Sequence, residues 1–153
     1  MVALVRLATV NDCNLLGPRL RDADKYELKV SCGFGPVTAL TKSLESSDAA
    51  YVAVDGEGEP ILMFGVVNAL EDFIGVPWML GSKGIYKHTR QLKAECKQWL
   101  GVVHQDYDLL FNYVHAENPK AIRWLQWMGF TMVRLVPEYG VGKQPFYEFI
   151  KVK

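Results

Sequence analysis

Apolar residues along this chain recur at two spacings, one suited to strands and one to helices. Val2 to Leu7 alternates loosely and predicts a first strand. Thr9 and Asp12 then stand at the spacing of a capping box, opening a helix through Leu15 and Leu16. Gly17-Pro18 interrupts it, and Asp22 to Val30 continues as helix. Cys32-Gly-Phe-Gly-Pro36 reads as a turn with proline at a helix start, followed by Val37, Leu40 and Leu44 as an apolar stripe. Tyr51 to Val54 and Ile61 to Val67 predict two strands around the glycine-rich Asp55-Gly-Glu-Gly-Glu-Pro60, a hairpin with a long loop. Ile61 to Val67 is apolar on both faces, which predicts a central strand.

Pro77 to Leu80 is a further short strand. Gly84 to Val103 predicts the longest helix, with Ile85, Leu92, Cys96, Trp99 and Val103 along one side. Asp108 to His115 is a strand. In the next segment Asn118 caps a helix, Pro119 takes its first turn, Gly129 ends it and Phe130 opens a strand. Thr131 to Val136 is that strand, Pro137 to Pro145 a loop, and Phe146 to Val152 the last strand. The order β-αα-ββ-β-α-β-α-β-β predicts an α/β (α+β) domain, with a mixed central sheet and helices on both faces. Residues 1–153 are expected to form one domain, large enough for a hydrophobic core.

Composition narrows the function classes. Half the residues are apolar, which excludes a disordered chain. Lys plus Arg and Asp plus Glu are equal at 17 each, so no general nucleic-acid or membrane-surface binder is indicated. No apolar run is long enough to span a bilayer, and no secretory signal is visible. Cys13, Cys32 and Cys96 are odd in number and widely spaced, which suits a reducing cytoplasm. His88, His104 and His115 lack metal-ligand spacings, so no metal site is expected.

The Asn118–Phe130 segment resembles the last core helix of the GNAT acyl-CoA N-acyltransferase superfamily, N-x-x-A-x-x-x-Y-x-x-x-G-F, through Asn118, Ala121, Gly129 and Phe130. The element order agrees with that superfamily over nearly the whole chain. The resemblance implies a mainly antiparallel sheet that splays between the strand ending near Leu80 and the strand Leu109 to Val114. It also implies acetyl-CoA as cofactor, with its pyrophosphate on the turn after the fourth strand. There the family has Q/R-x-x-G-x-G/A, whose glycines let backbone N–H groups reach the phosphates. Here the turn reads Leu80-Gly-Ser-Lys-Gly-Ile-Tyr-Lys-His88. Gly81 and Gly84 are present, but Ile85 and Tyr86 put bulk where the family has small residues. The expected cofactor contacts are Leu80, Gly81, Ser82, Lys83, Gly84, Lys87 and Asn118.

Lys83, Lys87 and Arg90, with Lys97 further on, oppose the helix dipole at this N-terminus, a conflict that a bound phosphate would remove. A solvated basic face is the other reading. The family's tyrosine, often the proton donor to the leaving thiolate, falls on Leu125, which has no proton to give. Candidates to replace it are Tyr113 and His115, on one face of their strand, and Glu117 beyond. Glu71 and Asp72 follow the apolar strand near the expected acceptor cleft, as catalytic groups or as a polar loop. Trp124 and Trp127 either complete the core or meet a protein partner; Trp78 and Trp99 read as core.

A narrower resemblance runs through Val76-Pro-Trp-Met-Leu-Gly81, the Leu-Leu-Phe-Asn-Tyr-Val strand, Ala121 to Phe130 and Pro145-Phe146. These segments resemble small GNAT-like proteins of short-tailed bacteriophages, some described as internal virion or virion-assembly proteins, others only as acetyltransferase-like. That resemblance implies a phage protein with a degraded acetyl-CoA site, acting by binding in virion assembly, in the infected host's cytoplasm or the particle. The alternative it leaves is an active acetyl-CoA-dependent N-acetyltransferase acting on an amine of a host or phage protein.

Overall fold

The structure, a computed structural model, describes residues 3–69, 71 and 73–153. Its strands are β1 (Leu4–Leu7), β2 (Ser47–Val54), β3 (Pro60–Asn68), β4 (Ile74–Gly81), β5 (Leu109–His115), β6 (Thr131–Tyr139) and β7 (Gln144–Val152). They form one sheet in the order β1-β2-β3-β4-β5-β7-β6. Every pairing is antiparallel except β4 with β5. The helices are α1 (Val10–Leu16), α2 (Asp22–Ser31), α3 (Pro36–Ser46), α4 (Thr89–Val103) and α5 (Pro119–Trp127). No helix among the described residues is long and apolar enough to cross a membrane.

Strand alternation divides the apolar residues into two cores. On β3, Leu62, Phe64 and Val66 face α4, whose Leu92, Cys96 and Leu100 are buried against them. Met63, between them in sequence, joins Cys13 and Leu16 of α1 and Leu40 of α3 on the opposite face. The expectations of a mixed sheet, helices on both faces and a central, doubly buried β3 all hold. The capping box also forms: Thr9 Oγ1 accepts from Asp12 N–H, and Asp12 accepts from Thr9 N–H at 2.8 Å. Asp12 is further held by a two-pronged bond from Arg6 at 2.8 and 2.9 Å. Burial alone would raise this carboxyl's pKa, but the Arg6 and Thr9 donors outweigh it and bring it below its ordinary value.

Several boundaries differ from expectation. Val2 lies outside the described residues, and β1 begins at Leu4. Strand β2 starts at Ser47, directly where α3 ends, because Ser47 pairs with Val67 of β3 across a bulge. The predicted helix from Gly84 splits into a short 3-10 turn at Lys83–Lys87 and α4 from Thr89. Packing explains the split: a Cβ at Gly84 would fall 2.6 Å from Ile61 Cγ2, so the chain is pressed onto β3 there. The loop expected from Pro137 is strand as far as Tyr139. Pro137 sits on the edge strand β6 within an irregularity of register between Val136 and Tyr139, where its missing N–H leaves no ladder bond broken.

Candidate functional site

Strands β4 and β5 pair only at Ile74 with Leu109 and Gly75 with Leu110. Beyond these residues they diverge, as the resemblance implied, and the wedge between them opens on a cavity of about 380 Å³. Low in the wedge, Asn112 Nδ2 donates to Pro77 O at 2.7 Å. At its open end the gap is bridged by α2 and the residues before it. Leu20 forms an isolated antiparallel bridge with Ser82. Arg21 N–H donates to Gly81 O at 2.9 Å. Asp24 Oδ2 accepts from Gly81 N–H at 3.0 Å, and Glu27 Oε1 accepts from His115 N–H at 2.6 Å. Two carboxylates, three residues apart on one helix, thus hold the last backbone N–H groups of the two diverging strands.

Their electrostatics differ. Asp24 is buried, and burial raises its pKa even though Arg21 Nη2 lies 2.9 Å away and Gly81 donates to it. Glu27 has no such cation in contact. Burial, with the charge of Asp24 adding to it, pushes its carboxyl up to about 7 against the lowering bond from His115. Glu27 also lines the cavity. A carboxyl poised near neutrality in a cleft is a candidate proton carrier. Sequence reading missed Arg21, Asp24 and Glu27. Their three-residue spacing marks one helix face, but what that face meets lies far along the chain.

The expected cofactor residues come together around the end of β4. Leu80, Gly81 and Ser82 are buried, Lys83 and Lys87 are exposed, and Leu80 and Asn118 line the cavity. Several N–H groups of the turn already have partners within the chain. Gly81 donates to Asp24, Ser82 to Ile61 O at 2.9 Å, Gly84 to Ser82 Oγ at 3.2 Å and Ile85 to Ser82 O at 3.2 Å. The side chain of Asn118 accepts from Ala121 N–H at 3.3 Å, which makes it the N-cap of α5.

The catalytic candidates do not converge. Tyr113 lines the cavity, but its hydroxyl donates to Glu148 at 3.0 Å and its ring stacks on Tyr139 at 4.4 Å. Burial and the neighbouring Glu148 raise its pKa. His115 lines a second cleft of about 320 Å³ with Asp22, Tyr26, Glu117 and Asn118, not the larger cavity. Its Nδ1 accepts from Glu117 N–H at 3.3 Å, which places the proton of the neutral ring on Nε2. That Nε2 is buried without a hydrogen-bond partner among the described residues. Glu71 is exposed in the β3–β4 turn, at the paired end of β4 and opposite the splayed end. Strand length alone therefore separates it from the others. Asp72 lies outside the described residues. Leu125 lines the cavity, packed against the α4 core.

The tryptophans divide as well. Trp124 lines the cavity and packs on the core, whereas Trp127 is 44% exposed. Trp78 donates to Ser47 Oγ at 2.7 Å, and Trp99 meets Phe64 edge-on at 5.0 Å, so both help hold the sheet together.

No protein-family model matches this sequence, and no curated protein matches it. Solved structures do. A GCN5-related N-acetyltransferase from Kribbella flavida superposes with a TM-score of 0.76 at 17% identity, over 99% of this chain and 98% of that one. The ribosomal-protein-S18-alanine N-acetyltransferase from Escherichia coli gives 0.72 at 11% identity, over 99% and 94%. The NatC complex bound to Gag peptide and CoA gives 0.72 at 14% identity, over 100% and 99%. With the splayed β4–β5 pair and the Asn118-capped helix beside it, these likenesses identify the fold of this chain as that of the GNAT N-acetyltransferases.

Proposed function

We propose that this chain is a bacteriophage GNAT-fold protein that works by binding, in virion assembly, and that its acetyl-CoA site is degraded. The observation that carries the reading is the Asp24 carboxylate on Gly81 N–H. A carboxylate there takes the donor a pyrophosphate would use. With Arg21 on Gly81 O, both backbone groups of that residue are already engaged. Leu125 in place of the family's tyrosine agrees with a site released from catalysis. The phage setting, in host cytoplasm or particle, rests on the resemblance of Val76–Gly81 and Ala121–Phe130.

Calorimetry with acetyl-CoA tests the closed turn. Binding no tighter than about 1 mM, the weak end of ordinary KM values, is expected. Stoichiometric binding in the micromolar range would overturn it. Mass spectrometry of purified particles tests the assembly role, with the chain expected among the virion proteins.

One observation favours a second reading, an acetyl-CoA-dependent N-acetyltransferase: the Glu27 carboxyl, held near neutrality at the cavity wall, suits a base that accepts a proton from an attacking amine. On that reading Glu27→Gln lowers acetyl transfer by roughly 10²–10⁴-fold, and His115→Ala, in the other cleft, does not.

A further inference from the structure

Cations line one side of α4 and the start of α5, and no ion pair among the described residues engages them; Glu95, the acid of α4, falls on another side of that helix. Arg90, Lys93 and Lys97 are spaced three and four apart on α4, which puts them on one side. Lys120, Trp124 and Trp127 share a side of α5 at spacings of four and three. The two rows meet. Lys93 Nζ lies 5.7 Å from the centre of the Trp124 ring and 5.1 Å from that of Trp127. Lys97 Nζ is 4.6 Å from the Trp127 ring, and Lys120 Nζ is 5.2 Å from the Tyr86 ring. The ion pairs among the described residues are Arg6–Asp12, Arg19–Glu59, Arg21–Asp24 and Arg134–Glu148, so none neutralises this face. Neither helix has an acidic residue in its first turn, while Arg90 and Lys120 stand there against the dipole. The chain's formal charge is zero, so this is a local excess rather than a reflection of composition.

We propose that this Lys–Trp face binds an acidic segment of another protein, its carboxylates on Lys93, Lys97 and Arg90 and an apolar side chain against the exposed edge of Trp127. The proposal rests on the binding reading above and names the chemistry of the partner. The ring geometry favours carboxylates over nucleic acid. Bases bind such surfaces by stacking on free aromatic faces. Here ammonium groups already lie over Trp127 and Tyr86. A carboxylate approaches those ammoniums from outside and leaves the cation–π contacts in place. A half-exposed tryptophan ringed by charge is also the composition of an interface anchor.

The test uses the full chain and fluorescence anisotropy with a labelled peptide of repeated Glu-Glu-Leu-Glu units. The expected result is saturable binding that weakens as salt is raised. Lys93→Glu/Lys97→Glu should lose affinity by about tenfold or more, the scale of two charge-assisted contacts. Lys29→Glu/Lys42→Glu, with the same charge change elsewhere, should bind like the parent. Trp127→Ala keeps the charge and should lose a smaller factor. Thermal unfolding of each variant confirms that it is folded. Absence of peptide binding, equal loss in both lysine pairs, or tighter binding of an oligothymidylate would each overturn the proposal. Acetyl-CoA titrated in parallel separates the two ideas: coenzyme binding with peptide binding intact removes only the closed turn, and peptide failure without coenzyme binding removes only this partner.

Discussion

Two turns at the open end of the wedge connect a strand to a helix, and they are built on different principles. After β5 the helix start follows local rules: Asn118 caps, Pro119 fills the first position, and α5 starts at once. After β4, Gly81 to His88 does not. Ser82 caps a 3-10 turn, and His88 precedes α4 with no side-chain cap bond. The N–H of Gly81 is held by Asp24, 57 residues away in sequence. The first turn sets its helix start with its own residues, so it keeps the form of the GNAT fold even though α2 also reaches it through Glu27. In the second, α2 holds the N–H of the motif glycine itself, so its chemistry can be altered by a helix that contributes nothing to the motif. A glycine pattern therefore does not by itself define an anion site; what matters is whether its N–H groups remain unpartnered in the fold.

Asp24→Ala breaks this comparison most severely. It leaves Arg21 and Gly81 N–H without their shared acceptor in a buried place, and about 4 kcal/mol of stability should be lost in urea unfolding. Asp24→Asn keeps an acceptor for Gly81 and should lose clearly less. A small effect of the alanine variant would mean that α2 does not brace the β4 turn.

Glu27→Gln probes the other bridge, and its effect depends on pH. The carboxyl is raised from 4.5 to about 7 in the folded chain. Between these values the folded state holds a proton that the unfolded state has lost, so stability falls as pH rises through this window. The total is about 3 kcal/mol, and the effect is constant above pH 7. Glutamine can still accept from His115 N–H but cannot ionise. The variant should lack this slope and be the more stable protein above pH 7, as denaturation from pH 4 to 8 would show. Identical pH profiles for parent and variant would remove Glu27 as a titrating group.

Asn118→Ala sharpens the comparison from the side of the locally capped turn. Loss of the cap bond to Ala121 should cost about 1 kcal/mol by chemical denaturation. Acetyl-CoA calorimetry on the same variant should show no change if the cap is its whole role. The smallest effect is expected from Leu125→Tyr, which puts a hydroxyl at the cavity. With the β4 turn closed, acetyl transfer to amines should stay at the parent's level. A gain in turnover would show that a proton donor at this position is what limits acetyl transfer.

Much of this was legible in the chain. Thr9 with Asp12, Pro36, and Asn118 with Gly129 each set a helix boundary through partners a few residues away. Gly129 adopts a φ of +99°, which a side chain would strain. The doubly apolar run in β3 announced a central strand, and the Asn-to-Phe segment with the element order announced the GNAT sheet and its splay. Sequence-local chemistry determines these features because capping, turn geometry and burial period act over a turn or two of backbone. Tertiary structure alone decided the rest. It placed Glu71 at the wrong end of β4 to meet Tyr113, turned His115 into a separate cleft, and divided the predicted helix at His88. It also brought Asp24 and Glu27 to the ends of two strands and laid Lys93 and Lys97 over Trp127. Each of these depends on which faces meet across the fold, and a side chain's partners, desolvation and pKa are set by that meeting rather than by its neighbours in sequence.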